Sequence, residues 1–264
     1  MRIGSVEIQP LFDGYGREQA GEIISRFNFP DAWRCHPESF GHDGHWEFPV
    51  GGFLIRTGER IIVLDTGVGP MDDGSYKGGG LIAQLASFGV RPTDVTDVLF
   101  SHLHFDHIGW ASRDARPVFP NATYRVHERD WRHFMDGEAK SAVGTELLSP
   151  IQNQLELFTA DFEIAPHVST RFSPGHTPGS TVFVIASEQQ RAILLGDIVH
   201  STVQLSEPDW TVIWDVDPLA ASRVRNDIAD DAEKTGDLLV AAHFPKMQFG
   251  RVLRVEGIRK FVAL

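Results

Sequence analysis

Residues 101–110 read SHLHFDHIGW, with three histidines and an aspartate inside the six positions from His102 to His107. The stretch closes an apolar run, Val95 to Ser101, that reads as a strand. Side chains on an extended chain alternate faces, so His102 and His104 project to one side and can hold one metal ion between them. Asp106 and His107 follow the strand end, where a turn toward Ile108 and Gly109 lets them address a neighbouring point. One short loop can thus supply two adjacent ions. A lone histidine is more often an ordinary core or surface group, but four such side chains in one loop favour metal.

Three more candidates stand where apolar runs end: His176 in SPGHTPGS, Asp197 in AILLGDIVH and His243 in LLVAAHFP. A strand that carries its polar residue at the carboxyl end delivers it to a shared edge, where such ligands converge. Strands are expected at Ile3 to Leu11, Gly52 to Arg56, Ile61 to Leu64, Thr123 to Val126, Val168 to Phe172, Thr181 to Ala186, Ala192 to Leu195, Leu238 to Ala242 and Arg251 to Val255. Helices are expected at Leu81 to Phe88, Glu128 to Phe134, Glu146 to Phe158 and Pro218 to Lys234, the last capped by Asp217. Strands in runs broken by single helices fit two β layers covered by helices better than strict βαβ alternation. The glycine-, proline- and polar-rich spans Asp13 to Pro49 and Pro70 to Gly80 read as long loops.

The 264 residues suit one domain, and no run of about 18 apolar residues is present to cross a bilayer. MRIGSVEIQPLFDG at the amino terminus reads as a first strand rather than a signal peptide, so a cytoplasmic setting is expected. A formal charge of −12, from 36 acidic against 24 basic side chains, disfavours nucleic acid as a partner. Cys35 is the sole cysteine, which excludes an internal disulfide and thiolate metal pairs. Cys35 and His36 are adjacent and would point opposite ways on an extended chain, a poor nucleophile pair. His36, His42, His45, His127, His133 and His167 are expected to be solvated or to line a pocket.

HLHFDH, SPGHTPGS, the GD turn at Asp197, AAHFP and Leu64-Asp65-Thr66-Gly67 together resemble the metallo-β-lactamase-fold hydrolases, in the expected order over most of the chain. The resemblance implies an α/β (α+β) fold, a four-layer αββα sandwich, as a single domain over residues 1–264. It implies two divalent ions, zinc by default and otherwise manganese, iron or cobalt. His102, His104 and His176 would bind the first ion, Asp106, His107 and His243 the second, with Asp197 bridging and Asp65 orienting a ligand histidine. A hydroxide held between the ions would be the nucleophile, with Asp106 orienting it and passing its proton toward the leaving group.

Within the superfamily, only Phe244 to Leu264 follow His243, too short for the helical substrate domain of glyoxalase II. True metallo-β-lactamases usually carry cysteine or serine at the position of Asp197. The chain looks most like the lactonase and methyl-parathion-hydrolase-like branch. Lactonases of that branch commonly place a tyrosine three residues after the bridging aspartate; here that residue is His200, a candidate hydrogen-bond donor to substrate. The leading expectation is hydrolysis of a lactone or simple ester. The alternatives are a phosphotriesterase, a β-lactamase, or a non-catalytic metal-binding module. Aromatics near the expected mouth, Phe105 and Trp110 foremost, would favour an acyl or aryl group, and exposed strands make a homodimer reasonable.

Overall fold

The computed structural model of the chain describes residues 1–26, 28, 29, 31–137 and 139–264. Phe27 and Pro30, which fall in the first span expected as loop, lie outside the described residues. Among the described residues two large sheets are present, beside two small two-stranded ones, Ile24–Arg26 with Trp210–Val212 and Ser112–Arg113 with Arg116–Pro117. The eight-stranded one runs Arg2–Ile3, Val6–Gln19, His45–Thr57, Arg60–Leu64, Asp97–Leu99, Thr123–His127 and Leu155–Phe158, with Tyr76–Lys77 added onto Val6–Gln19. The seven-stranded one runs Glu163–Ala165, Val168–Phe172, Thr181–Ser187, Gln190–Leu194, Leu238–Val240, Gly250–Val255 and Ile258–Ala263.

Strand alternation sorts the apolar side chains into three layers. Phe53, Ile55, Ile62, Leu64 and Leu99 of the first sheet meet Phe183, Ile185, Ala192, Leu194, Leu238 and Val240 of the second in one buried cluster. The residues between them, Leu54, Val63 and Val98, point the other way and pack on Leu81, Leu85, Leu148 and Ile151. On the far side Ile193 and Leu239 pack on Ile228, Ala229 and Ala232 of the helix Pro218–Thr235. The order is therefore helix, sheet, sheet, helix, the four-layer sandwich that the motifs implied. Among the described residues no helix is long and apolar enough to cross a membrane.

Asp217 caps the helix Pro218–Thr235 as expected, its side chain accepting from the Ala220 amide at 2.9 Å. The expectations for two loop spans and one helix need correction. The span Asp13 to Pro49 is not one long loop: Val6–Gln19 and His45–Thr57 are long antiparallel partners, in register from Glu7 with Arg56 to Gln19 with His45. Gly14 and Gly16 serve packing, whereas Gly41 and Gly44 take positive φ, 67° and 80°. A Cβ on Gly16 would stand 2.6 Å from the Phe48 ring and 2.8 Å from Tyr76. The span Pro70 to Gly80 likewise contains a short strand, Tyr76–Lys77.

The expected helix Glu146 to Phe158 is the other correction. The chain instead forms the helix Ala142–Leu148, the tighter turn Ser149–Gln154 with Pro150 near its start, and the strand Leu155–Phe158. That strand lies parallel to Thr123–His127, from Tyr124 with Leu155 to His127 with Phe158. An apolar spacing that suits a helix was overridden by sheet pairing. The expected helix Glu128 to Phe134 begins as an α turn, Glu128–Trp131, and widens into a π turn, Arg132–Asp136.

A register shift between Phe12 and Gly14 drives Asp13 inward, to 3% exposure. Its Oδ2 accepts from the Gly69 amide at 2.9 Å; its Oδ1 accepts from the amides of Gly79 and Leu81 at 3.1 and 2.9 Å and from Trp110 Nε1 at 2.8 Å. One carboxylate thus ties the loop after Leu64, the start of the helix Leu81–Ser87 and the segment after His107. Asp13→Ala strands four donors and is expected to lower unfolding free energy by about 3 kcal/mol or more, read from urea midpoints. A loss below about 0.5 kcal/mol would contradict this role.

Candidate metal centre

The polar ends of the strands meet at one edge. His102 and His104 lie in the extended segment between Leu99 and the one-turn helix Phe105–Ile108, which carries Asp106 and His107. His176 follows the strand Val168–Phe172, Asp197 follows Gln190–Leu194, and His243 follows Leu238–Val240. Gly196 permits the close approach of two of these segments. It has a positive φ of 52°, and a Cβ there would stand 2.7 Å from Ser101.

The seven side chains form two groups that share Asp197. In the first, His104 Nδ1 lies 3.0 Å from His102 Nε2 and 2.9 Å from His176 Nε2, and those two Nε2 atoms are 3.3 Å apart. Asp197 Oδ2 is 3.8 Å from His102 Nε2 and 3.7 Å from His176 Nε2. In the second, Asp197 Oδ1 lies 3.3 Å from His107 Nε2 and 3.2 Å from His243 Nε2. Asp106 Oδ2 closes that group, 3.7 and 3.4 Å from the same two nitrogens.

The far ring nitrogens show which atoms are free to ligate. His107 Nδ1 donates to Asp65 Oδ2 at 3.0 Å, His176 Nδ1 to Asp215 Oδ1 at 3.0 Å, and His243 Nδ1 to the Pro49 carbonyl at 2.9 Å. His102 Nδ1 donates to Ser101 Oγ at 3.0 Å, whose own proton goes to Asp65 Oδ2 at 2.7 Å. These partners fix the tautomers, so four Nε2 lone pairs point into the groups. Nitrogen lone pairs about 3 Å apart repel one another and call for a cation between them, and ligands spaced about 3.3 Å apart match a tetrahedral zinc at about 2.0–2.1 Å. His107 Nε2 and Asp197 Oδ1 are buried without a hydrogen-bond partner, as ligand atoms would be. The donor set therefore fits two divalent cations.

Protonation follows the same division. Burial, aided by neighbouring imidazoles, pushes His102 well below the ordinary range and His104 down to about 3. Burial also presses on His107 and His243, but Asp197 and Asp106 outweigh it, holding His107 well above its usual value and His243 at about 10. Asp106 would be raised by burial, yet His107 and His243 pull it down to about 2. Protons and metal ions compete for these two imidazoles.

Beside the groups opens a cavity of about 300 Å³ lined by Glu18, Tyr76, His104, Phe105, Asp106, Asp197 and Trp214. Phe105 stands there as expected. Trp110 does not, since its indole is tied to Asp13. His200 is fully buried outside that lining, its Nε2 3.3 Å from Asp197 Oδ2, so it faces the shared carboxylate rather than a substrate. The remaining histidines stay apart: His36 pairs with Glu207, His45 with Gln19, and His127 stacks on Phe172.

Sequence reasoning missed Glu18, Tyr76, Trp214, Asp215 and Asp130. Asp130 is buried in the helix Glu128–Trp131 and takes the amides of Leu103 and Gly179, at 3.1 and 2.5 Å, thereby joining the two histidine loops. No motif marks these residues, because each acts through a contact between segments far apart in the chain.

The sequence matches the family described as Metallo-beta-lactamase superfamily over residues 47–249. An N-acyl homoserine lactonase of Bacillus thuringiensis is 26% identical over 164 residues, 56% of this chain and 62% of that protein. The N-acyl homoserine lactonase AttM of Azorhizobium caulinodans is 28% identical over 179 residues, 59% and 66% of the two chains. The match thus spans just under two thirds of the length of these relatives. A solved structure of AidC, a dizinc quorum-quenching lactonase in complex with a product, superposes with a TM-score of 0.89 at 24% identity, covering 100% of this chain and 96% of that one. This last likeness is one of fold.

Asp215→Ala removes the partner that orients His176 and is expected to weaken zinc binding about 10- to 100-fold, measured by chelator competition. Affinity equal to that of the unaltered protein would show that His176 needs no such support.

Proposed function

We propose that this chain, which belongs to the metallo-beta-lactamase superfamily, is a dinuclear metal-dependent hydrolase whose substrates are lactones, N-acyl homoserine lactones first among them. The observation that carries the reading is the pair of four-donor groups joined through Asp197 at the foot of a cavity walled by Tyr76, Phe105 and Trp214. The names of the two curated relatives support the substrate class.

His102, His104, His176 and Asp197 would hold one ion, and Asp106, His107, Asp197 and His243 the other, with zinc the first candidate. Ions bound there supply an acidified water at neutral pH and positive charge for a developing oxyanion. The chain's own groups do the rest. Asp106 both closes the second group and borders the cavity, its side chain 10% exposed. Its carboxylate accepts the proton of the attacking water and returns it to the alkoxide that leaves when the ring opens. His200 serves as a positioning residue for Asp197.

Tyr76, Phe105 and Trp214 exclude water from the reacting centre and offer apolar surface to an acyl chain. An aryl phosphotriester would find the same surface, so a substrate panel arbitrates. We extend the reading to one domain over residues 1–264, a cytoplasmic setting and a homodimer. The continuous core between the sheets, the acidic charge, and the exposed Leu253, Val255, Ile258 and Val262 of the last hairpin support these.

Zinc- or manganese-loaded protein is expected to open acyl lactones with kcat/KM well above that for aryl esters, a phosphotriester or a β-lactam. Preference for the phosphotriester by orders of magnitude would replace the lactonase reading. Asp106→Asn is expected to retain part of the metal and to lose about 100-fold or more in kcat. Near-normal turnover in that variant would refute the proton-carrying role.

A further inference from the structure

One wall of the cavity is built by strand pairing. Gly16 faces Tyr76 across the pairing of Val6–Gln19 with Tyr76–Lys77, and it faces Phe48 across the pairing with His45–Thr57. Residues two apart on a strand share a face, so Glu18 lies on the same side as Gly16, opposite Trp46 and diagonal to Tyr76. Because Gly16 has no side chain, the Tyr76 ring lies over it, edge-on to Phe48 at 6.1 Å and to Phe105 at 4.9 Å. Trp46 and Phe48 are buried, at 3% and 1% exposure. Glu18 is thus a half-buried carboxylate on an otherwise aromatic wall.

The Glu18 carboxylate and the Tyr76 hydroxyl both border the cavity, with the phenol set beside the carboxylate as its protein donor. A carboxylate only accepts hydrogen bonds. Burial and the nearby Asp106, Glu18 and Asp197 raise Tyr76 far above its usual value, so its phenol stays protonated beside that carboxylate. One phenol fills only part of a carboxylate's two-oxygen acceptor capacity, so the wall facing the metal groups presents a further acceptor where a substrate must pass.

Resting on the lactonase reading, we propose that Glu18 is a specificity-determining residue that accepts a hydrogen bond from an amide N–H on the substrate, with Tyr76 as its neighbour and floor. The preferred substrates are then lactones that carry an acylamino group. Plain alkyl lactones and phosphotriesters, which offer no such donor, leave that remaining acceptor capacity unfilled and are disfavoured. A site built to pair with a donor rejects an analogue that lacks it more strongly than an apolar wall rejects a change in size.

The test compares N-hexanoyl homoserine lactone with its carbon analogue, in which CH2 replaces the amide N–H, on zinc-loaded protein. Unaltered protein is expected to favour the amide by about tenfold or more in kcat/KM, as expected for one hydrogen bond to a charged group. Glu18→Ala should bring that ratio close to one, and Glu18→Gln, which keeps an acceptor, should retain part of it. An undiminished ratio in Glu18→Ala overturns the proposal. If neither compound is opened, the lactonase reading falls separately, and the wall is judged by binding of the ring-opened amide and its carbon analogue, followed by tryptophan fluorescence. A tenfold binding preference for the amide that Glu18→Ala abolishes upholds the proposal, and equal binding overturns it.

Discussion

Asp197 is a carboxylate at 5% exposure with imidazoles on both of its oxygens. Oδ1 faces His107 and His243; Oδ2 faces His102, His176 and, at 3.3 Å, His200. An ionised group placed so deep costs several kcal/mol unless positive charge lies against it. That requirement shapes the whole strand-end edge. Strands that reach it lead into ligand-type side chains, and four of the histidines are backed by a partner: His102 by Ser101, His107 by Asp65, His176 by Asp215 and His243 by the Pro49 carbonyl. The two-sheet sandwich is the frame that brings four separate segments, those of His102 to His107, His176, Asp197 and His243, to a point only a few ångströms across.

The supporting contacts run in a chain. Asp65 receives His107, Ser101 Oγ and the Ser101 amide, so one carboxylate orients ligands in both groups. Asp13 ties the segment that follows Asp65 to Trp110, just beyond His107. Asp130 ties the His102 loop to the His176 loop. Precision at the centre is therefore spread across acidic side chains buried by long-range contacts. This also gives part of the chain's acidic excess a structural use.

Much of the centre was legible because metal ligation leaves local marks: HLHFDH, the GH and GD turns and AAHF each carry their ligand in a recognisable neighbourhood. The sheet layers were legible as well, since alternation along Phe53 to Ile55 or Ile62 to Leu64 assigns the faces directly. What escaped depended on pairing. The glycines of residues 14 and 16 looked like loop composition, yet they are gaps filled by Lys77, Phe48 and Tyr76. Leu155–Phe158 looked helical until a parallel neighbour was available. Glu18, Tyr76 and Trp214 meet across three segments and share no motif, so the specificity wall could not be read beforehand. His200 stands three residues beyond Asp197 in the chain, and its Nε2 lies 3.3 Å from Asp197 Oδ2.

The central claim is that two cations sit on either side of the Asp197 carboxylate. Crystals grown without chelator from zinc-loaded protein, with diffraction recorded at the zinc absorption edge, test it most directly. The account predicts two anomalous peaks about 3.5–4 Å apart, one among His102, His104 and His176 and the other among Asp106, His107 and His243. A single peak, or none at these side chains in fully loaded protein, would contradict it.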